Sequence, residues 1–400
     1  MPGPLSGLKV LDFSTLLPGP YASMMLADMG AEVCRVESPH RPDLMHQLPP
    51  LHGSGAEQTS FAHLTLNRNK HSIALDLKRS QSVDVIKRML GDYDIILEQF
   101  RPGVMQKLGL DYASLSAINP RLIYCSLTGY GQTGLHKDKA GHDINYLALS
   151  GLASYSGTAD TGPVLSATQI ADIAGGSHHA VMAILAAVIA RYGSGQGQWL
   201  DISMCDAAFS LNAMFAAGAL GTGNDPQYGS TALNGGSFYG YYQTRDGQYL
   251  SVGGLEPKFA KAFFELLEQP QWFALSMQAD IKVQQQLKTD LAALFMQQDS
   301  VHWCSLFDNQ DVCVEPVLSL NQAANSALLQ ERNMLLDAQL GDHTIQQIAP
   351  VVKFASARRT FMAAHKPGSD SHKILQSLGY TEQEITLIIN PPSTVGKTNE

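Results

Sequence analysis

A histidine and two aspartates in the middle of the chain have the types and spacing to move protons. His142 and Asp143 stand in the stretch AGHDINYLALSG, where Asp143 is a natural N-cap for an apolar helix that begins at Ile144. His142 would then lie just before a helix N-terminus, among backbone donors that can hold an anion. Asp172 stands in ADIAGG, at the start of a long apolar helix. A histidine and a carboxylate that face one substrate can serve as general acid and general base.

The same residues also have simpler interpretations. A lone histidine is more often a structural residue whose ring contacts a backbone carbonyl, and an aspartate before a helix is more often only an N-cap. Residue type and spacing therefore leave the role of His142 and of Asp172 open.

Basic residues gather where strands are predicted to end. Arg35 lies in the second predicted strand, the segment 67–70 (NRNK) precedes a strand, and Arg101 follows a strand that ends at Glu98. Loops after the carboxyl ends of parallel strands meet at one crevice, so these residues could bind a ligand with several phosphates. Ordinary solvated surface charge is the alternative.

The turn after the first strand argues against two common nucleotide chemistries. It reads STLLPGP over 14–20 and contains neither GxGxxG nor GxxxxGK[ST]. Its prolines also remove backbone donors that a pyrophosphate would need. An NAD-dependent enzyme and a P-loop enzyme are therefore disfavoured.

The elements that must position these residues alternate between strands and helices. Strands are predicted at 8–13, 32–37, 72–75, 94–98, 122–126 and 199–204, and helices at 20–29, 82–90 and 174–192. This alternation predicts an α/β fold, with a doubly wound, mostly parallel sheet in a Rossmann-like large domain.

The pattern of predicted elements changes beyond about residue 230. Two strands, 238–243 and 249–252, flank the hairpin turn signal TRDG, then Gln- and Leu-rich helices and a strand at 313–318 follow. We predict a large domain over 1–224, a smaller α+β domain over 225–330, and a return to the large domain over 331–400, with a last helix near 370–379.

Composition sets limits on partners and location. The 400 residues carry a formal charge of −9, which disfavours nucleic-acid binding because phosphate neutralisation needs a basic surface. The apolar run 180–190 is about half a membrane span, so we expect a buried helix and no membrane span. Five cysteines without a CxxC pair indicate reduced thiols and no zinc framework. The first residues lack the pattern of a signal peptide, so a cytoplasmic location is expected.

Several long segments together resemble the class III coenzyme A transferase family (CaiB/BaiF type), which also contains α-methylacyl-CoA racemase. The segments are LSGLKVLDFSTLLPGPYASMMLADMGAEVCRVE, LNRNKHSIALDLK, EQFRPGVMQKLGL, GHDINYLALSG, ADIAGG, GSGQGQWLDISM, DGQYLSVGGLEPKF and DVCVEPVL. GHDINYLALSG is most similar to the racemase branch. The resemblance implies an interlocked homodimer and an acyl-CoA substrate, with no separate cofactor and no metal, since coenzyme A is part of the substrate.

The resemblance also implies roles for particular residues. His142 and Asp172 match the paired acid and base groups of the racemase branch, and Glu256 matches the glutamate of its LEP motif, which supports the site. We expect burial and a nearby carboxylate such as Glu256 to let Asp172 hold a proton near neutrality. The positions that match coenzyme A contacts of the family are Arg35, Asn67, Arg68, Asn69, Lys70, Arg101, Gly141, Asp143, Ile144, Asn145 and Tyr146.

Two other functions remain open from the sequence. In the transferase branch, the aspartate that matches Asp172 is a nucleophile that forms an anhydride and then a thioester with coenzyme A. That branch needs no base at the position of His142, and its glycine-rich flap has only a weak counterpart in LNGGS at 233–237. A non-catalytic acyl-CoA-binding protein is the third interpretation. The acyl group itself has no recognisable short motif.

Overall fold

The computed structural model describes residues 3–55, 58–355 and 360–390, which divide into two compact units. The large unit takes the described residues up to Leu147, the segment Thr168–Ser210 and the described residues from Glu331 onward. The small unit takes Ala148–Ala167 and Leu211–Gln330. The range 225–330, predicted as a smaller domain, lies inside the small unit, which also includes segments that precede it.

The strands are mostly short. In chain order they are β1 (Lys9–Asp12), β2 (Glu32–Glu37), β3 (Leu51–His52), β4 (Thr59–Ser60), β5 (Lys70–Ala74), β6 (Ile95–Glu98), β7 (Ile123–Thr128), β8 (Gly157–Thr158), β9 (Gly162–Pro163), β10 (Trp199–Ser203), β11 (Gly240–Gln243), β12 (Tyr249–Val252), β13 (Val314–Pro316), β14 (Leu335–Leu340), β15 (His343–Ile348) and β16 (Phe361–Met362).

The α-helices range from one turn to almost five turns. They are α1 (Pro18–Asp28), α2 (Phe61–Leu66), α3 (Ser80–Met89), α4 (Val104–Lys107), α5 (Tyr112–Ser116), α6 (Asp143–Leu149), α7 (His178–Ser194), α8 (Met204–Ser210), α9 (Ala213–Thr222), α10 (Pro257–Leu266), α11 (Trp272–Ser276), α12 (Ile281–Phe295), α13 (Ser300–Phe307), α14 (Leu320–Ala324), α15 (Ala327–Glu331), α16 (Ser371–Ser377) and α17 (Glu382–Ile389). A π-helical segment, Ala171–Ser177, leads into α7.

The central sheet of the large unit confirms the predicted α/β fold with a mostly parallel sheet. Its order is β10-β7-β6-β1-β2-β5, and every neighbouring pair is parallel. Numbered along the chain, these six strands follow the order 3-2-1-4-5-6 of a doubly wound sheet. The winding direction reverses between β1 and β6, and ligands of such sheets bind in the crevice outside the carboxyl ends of the strands at this point.

The strands of this sheet form because their apolar runs are buried on both faces. Every residue of β6 and β7 is buried, which is typical of a parallel sheet that helices cover on both sides. Leu11 of β1 and Ile96 of β6 pack with Ile86 and Met89 of α3 in one continuous core. The predicted strand 32–37 is confirmed residue for residue, and the other five strands of this sheet overlap their predicted ranges.

The small unit is built around an aromatic core. β11 and β12 form the predicted antiparallel hairpin, and β13 joins the other edge of β12. Phe263 of the surrounding helices stacks on Phe295 and on Phe307 in this core, and the rings of Phe295 and Phe307 meet at a tilt. The interlocked homodimer and the cytoplasmic location implied above stay predictions.

The apolar helix that was predicted over 174–192 extends a few residues further at both ends. The continuous helix Ala171–Ser194 has the length and composition of a membrane span, and 44% of its most apolar window is buried. The core helix of a globular protein meets the same criterion, so this helix gives no clear membrane span.

Candidate active site

A cavity of about 260 Å³ lies in the large unit at the carboxyl ends of the central strands. Its walls come from the loops after β1, β6 and β7 and from the first turns of later helices. The lining residues are Leu16, Pro18, Gln99, Phe100, Arg101, Pro102, Thr128, Gly129, Tyr130, Lys137, Lys139, Ala140, Gly141, His142, Tyr146, Asp172 and Met204. The cavity therefore occupies the crevice where the winding direction of the sheet reverses.

The structure brings His142 and Asp172 to this one cavity. The side chain of His142 is exposed, and its backbone is fixed by two hydrogen bonds with Asn145. The N–H of His142 donates to Asn145 Oδ1 over 3.0 Å, and the carbonyl of His142 accepts from the N–H of Asn145 over 2.8 Å. His142 thus stands directly before α6, as predicted.

Asp143 has a different role from the predicted N-cap. Helix α6 begins at Asp143 itself, one residue earlier than expected, so the N-cap prediction is wrong. Its carboxylate oxygen Oδ1 instead accepts the backbone N–H of Asp172 over 3.0 Å. Backbone N–H groups in the first turn of a helix have no acceptor within the helix. The carboxylate of Asp143 supplies one for the N–H of Asp172.

Asp172 lies in the π-helical segment that precedes α7. Burial, and secondarily the negative charge of Asp143, raise the pKa of Asp172 to about 7. The Ser177 hydroxyl contacts the carbonyl oxygen of Asp172 at 3.0 Å and that of Pro18 at 2.7 Å, which holds the segment against the start of α1. Two causes therefore let Asp172 hold a proton near neutrality, its burial and a nearby carboxylate. That carboxylate belongs to Asp143.

Two tyrosines and a glycine form the wall beside His142. The hydroxyl of Tyr146 donates to the carbonyl of Gly141 over 2.6 Å, and the rings of Tyr130 and Tyr146 meet edge to face. A Cβ atom on Gly141 would lie 2.6 Å from Tyr130 Oη and 2.8 Å from Tyr146 Cε1. Gly141 therefore leaves room for both rings to pack against its backbone. Ile144, which follows on α6, is exposed.

Three cationic side chains line the cavity. Arg101 was predicted from the sequence, whereas Lys137 and Lys139 were missed. The signal that could have identified the lysines is their place in HKDKAGHD, directly before the candidate histidine. All three residues are exposed, so their charges are available to an anionic ligand.

Arg35, also predicted to bind coenzyme A, lies elsewhere in the large unit and is paired inside the chain. It is 2% exposed and forms ion pairs with Asp43 at 2.7 Å and with Glu37 at 3.0 Å. Asp43 in turn accepts the backbone N–H of Leu16, a residue of the cavity wall. Arg35 therefore supports the loop after β1 through Asp43.

The segment before β5 is also tied to carboxylates. Arg68 is 2% exposed and binds Asp28 at 2.6 Å, and Asn69 Nδ2 donates to the same carboxylate over 2.9 Å. Lys70 Nζ lies 3.5 Å from Asp12 and donates to Asn67 Oδ1 over 2.9 Å.

Burial lowers the pKa of Lys70 to about 7. The structure thus gives these polar side chains partners within the chain, and their predicted role in coenzyme A binding stays a prediction.

Glu98 does not line the cavity but supports one of the loops that do, and it was not predicted from the sequence. It ends β6, is 4% exposed, and burial raises the pKa of its carboxyl group to about 7. Glu98 Oε2 accepts the N–H of Phe100 over 2.8 Å and so shapes the loop that carries Gln99 and Arg101. An acidic residue at the end of the apolar run IIL was the available signal.

Glu256 lies in the small unit, directly before α10, where it stands as the N-cap residue without a side-chain capping bond. Its predicted supporting role stays a prediction.

Comparisons with known proteins agree on one family. The family model described as CoA-transferase family III matches residues 5–373. The chain is 34% identical to alpha-methylacyl-CoA racemase of Mus musculus over 386 residues, 95% of each chain. It is 30% identical to succinyl-CoA:glutarate CoA-transferase of Mus musculus over 401 residues, 96% of this chain and 89% of that one.

The solved structure of a CAIB/BAIF family protein from Brucella suis has a similar fold. It superposes with a TM-score of 0.82 at 27% identity and covers 94% of this chain and all of its own.

Proposed function

The chain belongs to CoA-transferase family III, and on that basis we propose that it is a racemase that interconverts R and S 2-methylacyl-CoA thioesters. The observation that carries the proposal is one cavity that contains both His142 and Asp172, with the pKa of Asp172 raised to about 7. A group whose pKa lies near the operating pH can both accept and donate a proton.

The proposed reaction moves one proton off the α-carbon and returns another to its opposite face. Neutral His142 takes the α-proton, the C–H electron pair forms the C=C bond of an enolate, and the carbonyl π pair moves onto oxygen. Protonated Asp172 then gives its proton to the α-carbon, and the oxygen pair re-forms the carbonyl. In the reverse direction Asp172 is the base and His142 is the acid. Proton exchange with water, or turnover of the other enantiomer, restores the starting protonation states.

The surroundings of the pair supply what such an enolate requires. Stabilisation of the developing oxygen charge is as necessary as the base, and the backbone N–H of Asp143 is our candidate donor. Arg101, Lys137 and Lys139 are our candidates for the phosphates of coenzyme A, because cations at the rim of a cavity attract a polyanionic ligand. No separate cofactor takes part, since coenzyme A belongs to the substrate.

The alternative is a CoA transferase in which Asp172 is the nucleophile. The similarity to succinyl-CoA:glutarate CoA-transferase favours keeping this candidate. Its Asp172 carboxylate would attack the thioester carbonyl and expel the coenzyme A thiolate to form an anhydride. The thiolate would then attack the aspartyl carbonyl, form an aspartyl thioester and release the acyl group as a carboxylate. This chemistry needs the carboxylate form of Asp172, which a pKa raised to about 7 depopulates below neutrality.

A trapping experiment separates the two reactions. The chain is incubated with a 2-methylacyl-CoA and hydroxylamine, with and without a free carboxylic acid, and Asp172 is examined by mass spectrometry. A racemase leaves Asp172 unmodified while the enantiomers equilibrate. A hydroxamate on Asp172, together with transfer of coenzyme A to the acid, would establish the alternative.

A further inference from the structure

A second group of chemically capable side chains lies on the large unit, outside the candidate active site. It consists of His71 on β5 and of His365 and Asp370 in the segment that leads into α16. Within the part of the chain that the structure describes, this is where three histidine, cysteine or acidic side chains bring their ligand atoms within 4.8 Å of one another. None of the three residues lines the cavity that contains His142 and Asp172.

The ligand atoms are already close to the spacing of a metal site. His365 Nδ1 lies 2.8 Å from Asp370 Oδ2, and His71 Nδ1 lies 3.7 Å from Asp370 Oδ1. A tetrahedral zinc ion with bonds of about 2 Å keeps its ligand atoms roughly 3.3 Å apart. Small side-chain rotations would therefore suffice to close the three groups on one ion.

The carboxylate is oriented by contacts behind it. The backbone N–H of Ser72 donates to Asp370 Oδ2 over 2.9 Å, while the N–H of Asp370 donates to the carbonyl of Ser72 over 3.0 Å. The N–H of Ala74 donates to Ser371 Oγ over 3.0 Å. Contacts of this kind hold a metal ligand in place before the ion arrives and raise its affinity.

In the other histidine–carboxylate contacts of the described chain, no third ligand atom of this kind lies within 4.8 Å of both partners. His372 binds Glu382 on the neighbouring helix at 2.8 Å, and His46 contacts Glu37 at 3.3 Å. The difference matters because two ligands seldom retain a metal ion, whereas two imidazoles and a carboxylate are a set that holds zinc with one position left for water. The side chain of His71 is 46% exposed, which leaves a path for the ion to enter.

We propose that His71, His365 and Asp370 bind one divalent transition-metal ion of the Zn²⁺ class, which fastens the C-terminal segment to β5. Binding through Nδ1 requires each imidazole to carry its proton on Nε2. A neutral His365 that donates from Nδ1 to Asp370 must therefore change tautomer, and a charged ring must release its Nδ1 proton to water, when the ion binds. β5 is an edge strand of the central sheet, and the ion would add a third link to the two hydrogen bonds that already join Ser72 and Asp370. This role is structural and independent of the proposed racemase reaction.

The test is Zn²⁺ binding to the full-length, chelator-treated protein, measured by calorimetry, with thermal unfolding measured in parallel. The wild type should bind one Zn²⁺ at this site and unfold at a higher temperature when Zn²⁺ is present. His71→Ala, whose side chain is half exposed, and Asp370→Asn should each weaken binding by at least about tenfold, since even supporting residues of metal sites contribute this much. His372→Ala, from the two-member pair, is the matched control and should bind as the wild type does.

Cobalt substitution adds a readout of geometry. Co²⁺ in the wild type should give the visible absorption of a tetrahedral ion, and His365→Ala should lose it. The cavity near His52 and His343 also contains His365 and is the competing location. Zn²⁺ affinity that is unchanged in His71→Ala but reduced in His52→Ala and His343→Ala would overturn the assignment, as would the absence of saturable binding to the wild type.

Discussion

Two groups of cations in the large unit have similar residue types but different surroundings. The paired cations, Arg35, Arg68 and Lys70, are buried, and each lies against a carboxylate of its own chain. The cavity cations, Arg101, Lys137 and Lys139, are exposed at the crevice that also contains His142 and Asp172.

The difference separates stability from function. When a cation and its carboxylate are both buried, removing one of them leaves an uncompensated charge in the interior and destabilises the folded state. An exposed cation contributes little to folding but remains free to bind an anion. Variants of the two groups should therefore change different measurements.

The largest effect is expected for the proton-transfer pair. His142→Ala and Asp172→Asn should each lower turnover by a factor on the order of 10²–10⁴, since neither replacement can exchange a proton at a useful pKa. Binding of coenzyme A thioesters and the free energy of unfolding should change little, because His142 is exposed and asparagine matches aspartate in shape. The control is Asp138→Asn, a substitution at an exposed carboxylate. A His142→Ala enzyme that racemises at the wild-type rate would show that the two-base assignment is wrong.

Among the paired cations, Arg68→Ala should have the greatest effect on stability. It leaves the buried Asp28 carboxylate without its cation, a situation that costs about 3–5 kcal/mol. Chemical denaturation of Arg68→Ala and Arg101→Ala in parallel measures the contrast, because an exposed substitution changes stability by only about 0.5 kcal/mol. Equal losses for both variants would remove the distinction between the two groups.

Substrate affinity should depend on the cavity cations and not on the paired cations. Arg101→Ala should raise KM for an acyl-CoA by about tenfold, the size of one charge-assisted hydrogen bond, with kcat little changed. The effect should shrink at high salt and disappear for a substrate that lacks the nucleotide. Lys373→Ala, at an exposed lysine of α16, is the control. Normal affinity of Arg101→Ala at low salt would refute its role at the ligand.

The smallest effect concerns the carboxylate beside Asp172. Asp143→Asn keeps an oxygen for the N–H of Asp172 but removes the negative charge that helps to raise the pKa of Asp172. That pKa should fall. For the enantiomer whose turnover needs protonated Asp172, the rate should begin to fall at a lower pH than in the wild type. For the enantiomer whose turnover needs ionised Asp172, the rate should begin to rise at a lower pH than in the wild type. Profiles of kcat against pH for the two enantiomers measure the shift, and a shift to higher pH would contradict it.

Sequence patterns predicted the parts of this molecule that depend on local order. The sheet strands, the hairpin β11–β12 and the place of His142 before α6 follow from apolar runs and turn signals. The π-helical segment could not be predicted, because its pattern of apolar residues resembles that of an α-helix.

Contacts between residues that are distant in the sequence could not be predicted from local patterns either. Asp28 lies 40 residues from Arg68, and Asp143 lies 29 residues from Asp172. For this reason the sequence grouped the paired cations with Arg101, and only the folded chain separates them.

The most direct test of the proposed reaction is proton exchange at the α-carbon. A single enantiomer of a 2-methylacyl-CoA is incubated with the wild-type chain in heavy water, and the product is analysed by NMR and mass spectrometry. We expect every inverted molecule to carry one deuterium at the α-carbon, and we expect Asp172→Asn and His142→Ala to lower the rate of inversion by a factor on the order of 10²–10⁴. Unlabelled substrate that keeps its configuration, while coenzyme A passes to a free carboxylic acid, would contradict it.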